Sequence, residues 1–196
     1  MDQLTPAQVP TRRRNRRRML VAMLFASSLA TVGAGAMSLA VFTDSKASSG
    51  AWTTGSIILG VAPTTAFTAS GIMPGDTGTQ IVAVSNTGTA QLRYAMTTAI
   101  TGDTKGLAAQ MTLAITTGPV AAGACTGTSI YSGTLAAAAL GDPTQGAQAG
   151  DRNVASSATD NLCFQWTFPK ASGTAFQAAA TNATFTFAAE QTANNP

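Results

Sequence analysis

Over much of the chain after residue 41, large apolar residues alternate with polar or small ones at the period of a β-strand. In segment 162–168, Leu162, Phe164, Trp166 and Phe168 fall on one face of such a strand. Burying these four side chains would contribute roughly 6–12 kcal/mol before opposing terms are counted. The same alternation occurs in three further segments, 92–97, 111–116 and 183–189. Two segments, 57–59 and 81–84, are continuous apolar runs, which are typical of strands covered on both faces.

Turn-forming residues separate these predicted strands. Gly, Pro, Asn and Asp cluster between them at 74–76, 86–88, 101–103, 118–119, 141–143 and 169–173. Short strands at such intervals predict an all-β fold, a jelly-roll-like antiparallel β-sandwich. The alanine-rich stretch 135–140 is too short for a stable helix, so we expect one helical turn there at most. The small and polar stretch 141–160 is expected to form a long loop.

The first forty residues have the pattern of an export signal. Six arginines lie within 12–18, and residues 19–42 then carry no charge. We predict a signal peptide over 1–40, with a basic n-region at 1–18 and an apolar helix at 19–40, cleaved between Ala40 and Val41. Residues 41–196 would then form a single sandwich domain.

Two features of this segment leave alternatives open. The uncharged stretch is long enough to cross ~30 Å of hydrocarbon, so an uncleaved membrane anchor is the competing interpretation. The arginines also fit a twin-arginine signal loosely, and the general secretory route fits equally. With either export route, we expect the chain to contact the membrane only through its signal segment, before cleavage.

Composition excludes several classes of function. The chain has 11 Lys and Arg against 8 Asp and Glu, but the arginines of 12–18 account for the excess, so no nucleic-acid partner is expected. Only 10% of residues are charged. The absence of histidine excludes Ser-His-Asp triads, Cys-His pairs and HExxH zinc sites.

The two cysteines, Cys125 and Cys163, are expected to form a disulfide in an exported chain. The alternative is a pair of buried free thiols. Without histidine, two thiolates do not complete a tetrahedral zinc site.

We expect no catalytic residues, metal or cofactor. Asp142, Asp151 and Asp160 could converge on a calcium ion through loops, although solvated loop charge is the simpler interpretation. Trp166 is expected in the core because it belongs to the apolar alternation, whereas Trp52 could be an exposed binding aromatic.

Several motifs, taken in order, resemble the TasA/camelysin family. The chain after the signal begins with Val41, Phe42, Thr43 and Asp44, similar to that family's first mature residues. Further similar segments follow at 52–57, 72–78, 84–88, 92–94, 130–135, 162–169 and 183–192. Each motif alone is weakly specific, and their order over residues 38–192 carries the resemblance.

This resemblance implies a jelly-roll sandwich, exported with the help of a dedicated signal peptidase of the SipW type. It also implies a cell-surface or extracellular role, often in fibres, in which the freed N-terminal segment adds as a strand to the next subunit. Here that segment is 41–50, with Val41, Phe42, Thr43 and Asp44 as candidate assembly residues. The alternative is an edge strand of the same molecule, or a frayed terminus.

We therefore expect a secreted, non-enzymatic surface or matrix protein whose partners are other copies of itself or other surface proteins. A monomeric binding or adhesion module is the alternative. Some members of the family that the chain resembles are described as metallo-endopeptidases. We expect this activity least, because the residues do not assemble a metal and general-base cluster.

Overall fold

Five of the six segments predicted as strands form strands in the protein, at 81–84, 92–97, 111–116, 162–168 and 183–189. The computed structural model describes residues 45–195, so the predicted signal peptide, its cleavage site and the boundary at residue 41 lie outside the described residues. The strands are β1 (Leu59–Ala62), β2 (Thr77–Asn86), β3 (Leu92–Thr101), β4 (Thr112–Thr116), β5 (Val120–Ala121), β6 (Ala124–Cys125), β7 (Ser129–Thr134), β8 (Arg152–Val154), β9 (Ala158–Thr167) and β10 (Asn182–Gln191).

Three antiparallel sheets are built from these strands. The largest has the order β1-β2-β9-β4-β7, the second has the order β10-β3-β8, and β5 and β6 form a short hairpin. The predicted all-β antiparallel fold is confirmed. One four-residue helix, α1 (Leu107–Gln110), and two 3-10 turns, Leu135–Ala137 and Thr174–Phe176, occur in the described part of the chain.

The core lies between the five-stranded and three-stranded sheets. Leu162 and Phe164 of β9 are inaccessible to solvent, as are Leu92 and Met96 of β3. An edge-to-face contact between the rings of Phe164 and Phe185, 5.3 Å between centroids, joins the two sheets. Each such large side chain contributes roughly 1.5–3 kcal/mol when it is buried. The alternation predicted for 162–168 is therefore the central element of the core.

The expected long loop at 141–160 is wrong in its second half. β8 pairs there with β3, and β9 begins at Ala158. Val154, which is 2% exposed, lies opposite Leu92 in this pairing. The strand was not apparent in the sequence because it has only three residues and one apolar side chain. The single helical turn expected within 135–140 is confirmed by the 3-10 turn.

The apolar run 57–59, expected to be a strand covered on both faces, is also partly wrong. The strand begins only at Leu59, and Ile58 is 52% exposed. Instead, the Ile58 carbonyl accepts a hydrogen bond from the Thr87 N–H at 3.0 Å. The segment thus crosses the turn after β2, where a Cβ on Gly88 would lie 2.3 Å from the Ser56 carbonyl oxygen.

The residues from Trp52 onward form one compact unit. Residues 45–51 are exposed and contain no regular secondary structure. Between residues 45 and 195, no helix has the length and apolar character required to span a bilayer.

Candidate functional site

Only part of the predicted assembly segment falls within the described residues. Val41, Phe42, Thr43 and Asp44, together with Ala40 of the predicted cleavage site, lie outside the described residues. Residues 45–50, the remainder of the segment, are exposed and extend no sheet as a strand of their own. The strand-addition role of 41–50 therefore stays a prediction.

The structure contains a disulfide between Cys125 and Cys163, with Cα atoms 5.5 Å apart. Cys125 ends β6, and Cys163 lies in β9 with no accessible surface. The Cys125 N–H also donates to the Oε1 of Gln165 at 3.0 Å. These bonds fix the β5–β6 hairpin on the face of the five-stranded sheet that points away from the core.

This hairpin explains the continuous apolar run predicted at 81–84. Ile81 lies opposite Cys163 in the β2–β9 register, so both side chains share the outer face. Val82 and Val84 face the core and are 3% and 0% exposed. The strand is therefore covered on one face by the core and on the other by the disulfide-linked hairpin.

The three aspartates considered for calcium do not converge. Asp142 accepts hydrogen bonds from the N–H and hydroxyl of Thr144, at 2.9 and 2.8 Å. Asp151 accepts from the N–H groups of Asp142 and Gln148, at 3.0 and 2.8 Å. Asp160 lies in β9 and binds other groups. The calcium interpretation finds no support among the described residues, where no cluster of three or more acidic or thiol ligands occurs.

Asp160 instead joins the two sheets. Its Oδ2 accepts a hydrogen bond from the hydroxyl of Tyr94 at 2.8 Å. Arg152 donates to both of its oxygens, from Nε at 2.7 Å and from Nη2 at 3.0 Å. Burial and the hydrogen bond to Asp160 raise the pKa of Tyr94, so the phenol stays protonated as a donor. The hydrogen bond to Asp160 likewise raises the pKa of Arg152.

A second ion pair lies on the outer face of the three-stranded sheet. Arg93, which is 6% exposed, donates from Nε to the Oε1 of Glu190 at 2.5 Å and from Nη2 to the carbonyl of Asn195. The hydrogen bond from Arg93 holds the pKa of Glu190 below its usual range. Gly146 N–H also donates to Glu190 at 3.1 Å, which ties the loop after Leu140 to β10.

A shallow depression of about 190 Å³ lies beside this pair and is lined in part by Asp142, Asp151 and Glu190. Sequence reasoning did not identify Arg93 or Glu190, since 97 residues separate them and each carries only an ordinary strand pattern. Of the two tryptophans, Trp166 is 8% exposed and lies in the core, as expected. Trp52 is 90% exposed.

The residues between 45 and 195 do not fit a hydrolytic metal centre, which needs about three protein ligands and an open position for water. The chain has no histidine, and both thiols are consumed by the disulfide. Every carboxylate between residues 45 and 195 accepts a hydrogen bond from a named group of the fold. These carboxylates are Asp76, Asp103, Asp142, Asp151, Asp160 and Glu190.

Comparison with known proteins gives one family. No curated protein matches the chain. Residues 16–106, just under half of the chain, match the family model of the camelysin metallo-endopeptidases. The match covers the predicted signal region, the candidate assembly segment and the strands through β3. The resemblance to the TasA/camelysin family is therefore confirmed over residues 16–106.

Proposed function

We propose that this chain is an exported, non-enzymatic structural protein of the cell surface or extracellular matrix. One observation carries the proposal: within residues 45–195, every carboxylate and both thiols hold the fold together. Asp160 and Glu190 anchor ion pairs, and the remaining aspartates fix backbone N–H groups in turns. Carboxylates and thiols that serve the fold in this way support a role carried by the surface and the backbone of the protein.

In this proposal the protein assembles into fibres, and residues 41–50 of one copy add as a strand to a sheet of the next. Backbone hydrogen bonds would supply affinity, and alternate side chains would fill pockets. The low charge content supports this mode, because little repulsion opposes edge-to-edge pairing. The exposure of residues 45–50 supports it as well. The partners are other copies of the chain or other matrix proteins, and a signal peptidase frees the segment.

Electron microscopy and sedimentation of the exported protein test this assembly. We expect polymers from the natural chain and none after deletion of 41–50. Phe42→Ser, which removes the large apolar side chain of the segment, should also abolish polymers. Ser48→Ala, in the same segment, should leave them intact. An exported chain that stays monomeric at high concentration would contradict the proposal.

The name of the matching family also refers to peptidase activity, which is not part of this proposal. Purified protein supplied with zinc should not cleave an unfolded protein substrate above the background of a mock preparation. Zinc-dependent cleavage that disappears in Asp142→Asn or Asp151→Asn would overturn the non-enzymatic assignment.

A monomeric binding module is the second candidate, and the exposed Trp52 favours it. An indole that is 90% exposed offers a flat apolar contact for a carbohydrate ring or a protein surface. Trp52→Ala would then abolish binding to the host cell surface, whereas deletion of 41–50 would leave binding unchanged. Under the fibre proposal, Trp52→Ala would leave polymer formation intact, whereas deletion of 41–50 would abolish it.

A further inference from the structure

The last strand of the sandwich has an open edge. β10 pairs with β3 on one side, and no strand of the described residues pairs with its other side. The N–H of Thr192 donates to the carbonyl of Gln91 at 3.3 Å, which fixes the phase of the hydrogen bonds between the strands. The direction in which the N–H and carbonyl groups point alternates from one residue of a strand to the next. Since those of Thr192 point toward β3, those of the even-numbered residues of β10 do so as well.

The N–H and carbonyl groups of Ala183, Phe185, Phe187 and Ala189 consequently point outward. None of them has a backbone partner among the described residues. The open stretch ends at Gln191, where the side-chain amide of Asn195 donates to the outward carbonyl at 3.2 Å. The outward backbone groups of the seven-residue stretch 183–189 can therefore form hydrogen bonds with another strand.

The other edges of the two large sheets, β1, β7 and β8, carry features that disfavour pairing with the same edge of a second copy. β1 has four residues and is followed at once by Pro63. β8 has three residues and carries Arg152. β7 has an irregular register against β4 beside Ile115. Short strands, charges, prolines and bulges are the usual devices that prevent edge-to-edge association. β10 has ten residues and carries neither lysine, arginine nor proline.

The sequence of this edge reads nearly the same in both directions. Around Thr186, the inward-facing side chains run Ala, Phe, Phe, Ala from 183 to 189, and the outward ones are Thr184, Thr186 and Ala188. We propose that β10 is a homodimer interface, in which two copies pair antiparallel about a twofold axis at Thr186. Twofold symmetry requires such a self-complementary surface.

This register satisfies both the backbone and the side chains. Phe185 lies opposite Phe187 of the second copy, and Ala183 lies opposite Ala189, so every outward N–H and carbonyl of 183–189 enters a hydrogen-bonded pair. The two half-buried phenylalanines cover the remaining exposed surface of their counterparts. Glu190 lies opposite Asn182, so no like charges meet. The three-stranded sheet becomes a continuous six-stranded sheet across the axis.

Cysteine crosslinking tests the register directly. In the proposed dimer the two copies of residue 186 form a non-hydrogen-bonded pair with Cα atoms about 4.5 Å apart, within disulfide range. The two copies of residue 184 are offset by four residues, about 13 Å along the strand, and cannot be bridged. Thr184 and Thr186 are both exposed on the same face, so Thr184→Cys is a matched control for Thr186→Cys.

The full chain carrying either substitution is produced in a secreting bacterial host, and free thiols are blocked at harvest. Nonreducing electrophoresis should show a covalent dimer for Thr186→Cys that is lost in Thr184→Cys. Equal crosslinking of both variants, or of neither, would overturn the proposal. The inference is separate from the fibre proposal, because the Thr186→Cys dimer should persist when 41–50 is deleted, whereas polymers should not.

Charged substitutions at Thr186, the residue on the twofold axis, provide a second test of the dimer that does not require an introduced cysteine. Thr186→Lys and Thr186→Glu should each be monomeric in analytical ultracentrifugation, because each variant places like charges opposite one another. Their mixture should recover the dimer. Thr112→Lys adds the same charge at an exposed position of the inner strand β4 and should remain dimeric. A natural chain that is monomeric under these conditions would also overturn the proposal.

Discussion

Gly78 lies directly beneath the indole of Trp166. The two residues face each other in the β2–β9 register, and a Cβ at position 78 would lie 2.5 Å from the Nε1 of Trp166. Trp166 is 8% exposed and packs at the end of the apolar face that runs along β9. The absence of a side chain on β2 thus creates the space that the largest core residue occupies.

Gly78→Ala should therefore destabilise the protein. The added methyl group cannot fit without displacing a buried ring, and overpacking of this kind costs about 1–3 kcal/mol. We expect a lower urea midpoint with an unchanged slope, and a shift in the fluorescence of Trp166. Gly173→Ala is the matched control, because a Cβ there meets no atom within 4 Å. If the two variants unfold alike, the indole does not require the glycine.

The disulfide should stabilise the sandwich. It closes a loop with a sequence separation of 38 residues, so its removal should cost about 2–4 kcal/mol of unfolding free energy. We expect this loss in the double variant Cys125→Ala/Cys163→Ala, measured by urea denaturation. A reductant should lower the stability of the natural chain and leave that of the variant unchanged. Hydrogen exchange should increase first around the β5–β6 hairpin. Equal stability of both proteins without reductant would contradict this role.

The parts of the fold that could be predicted from the sequence are those in which one strand face is buried. β9 and β10 are examples, because Phe164 and Phe185 belong to alternations that local periodicity reveals. β8 could not be predicted, because its three residues are a strand only through pairing with β3, about 60 residues earlier.

The candidate site divides in the same way. Pairing of Cys125 with Cys163 could be predicted, because an exported chain with two cysteines offers a single intramolecular disulfide. The Arg93–Glu190 pair could not, since it depends on the alignment of β3 with β10. The small and polar character of 141–160 predicts a loop at Asp160, whereas this residue lies on the inner face of β9. Its partners Tyr94 and Arg152 come from the other sheet.

The link between the sheets at Asp160 should matter more than either of its donors alone. Tyr94→Phe removes one hydrogen bond and leaves the ion pair intact, so a loss of about 1 kcal/mol is expected. Asp160→Ala leaves both Tyr94 and Arg152 without their partner. We expect about 3 kcal/mol for that variant, at the lower end for a broken buried ion pair, because Arg152 is still 23% exposed. Similar losses in the two variants, by thermal or urea unfolding, would contradict the central role of the carboxylate.

The ion pair between Arg93 and Glu190 should make stability depend on acid pH. The pKa of Glu190 is lowered in the folded protein, chiefly by the hydrogen bond from Arg93, so the unfolded chain binds the proton more tightly. Its stabilising contribution is complete above the ordinary glutamate pKa of about 4.3 and is lost as the pH falls through the lower, folded value.

Glu190→Gln keeps an acceptor for Arg93 but has no charge to titrate. Its unfolding free energy should therefore fall less steeply between about pH 5 and pH 3 than that of the natural chain. The remaining slope reflects other carboxylates, among them Asp142, whose pKa is lowered by the backbone N–H and the hydroxyl of Thr144. Gln191→Asn, a neutral change at the next position, should preserve the natural slope. Parallel pH profiles for Glu190→Gln and the natural chain, measured by urea titration at each pH, would show that the pair does not contribute to acid sensitivity.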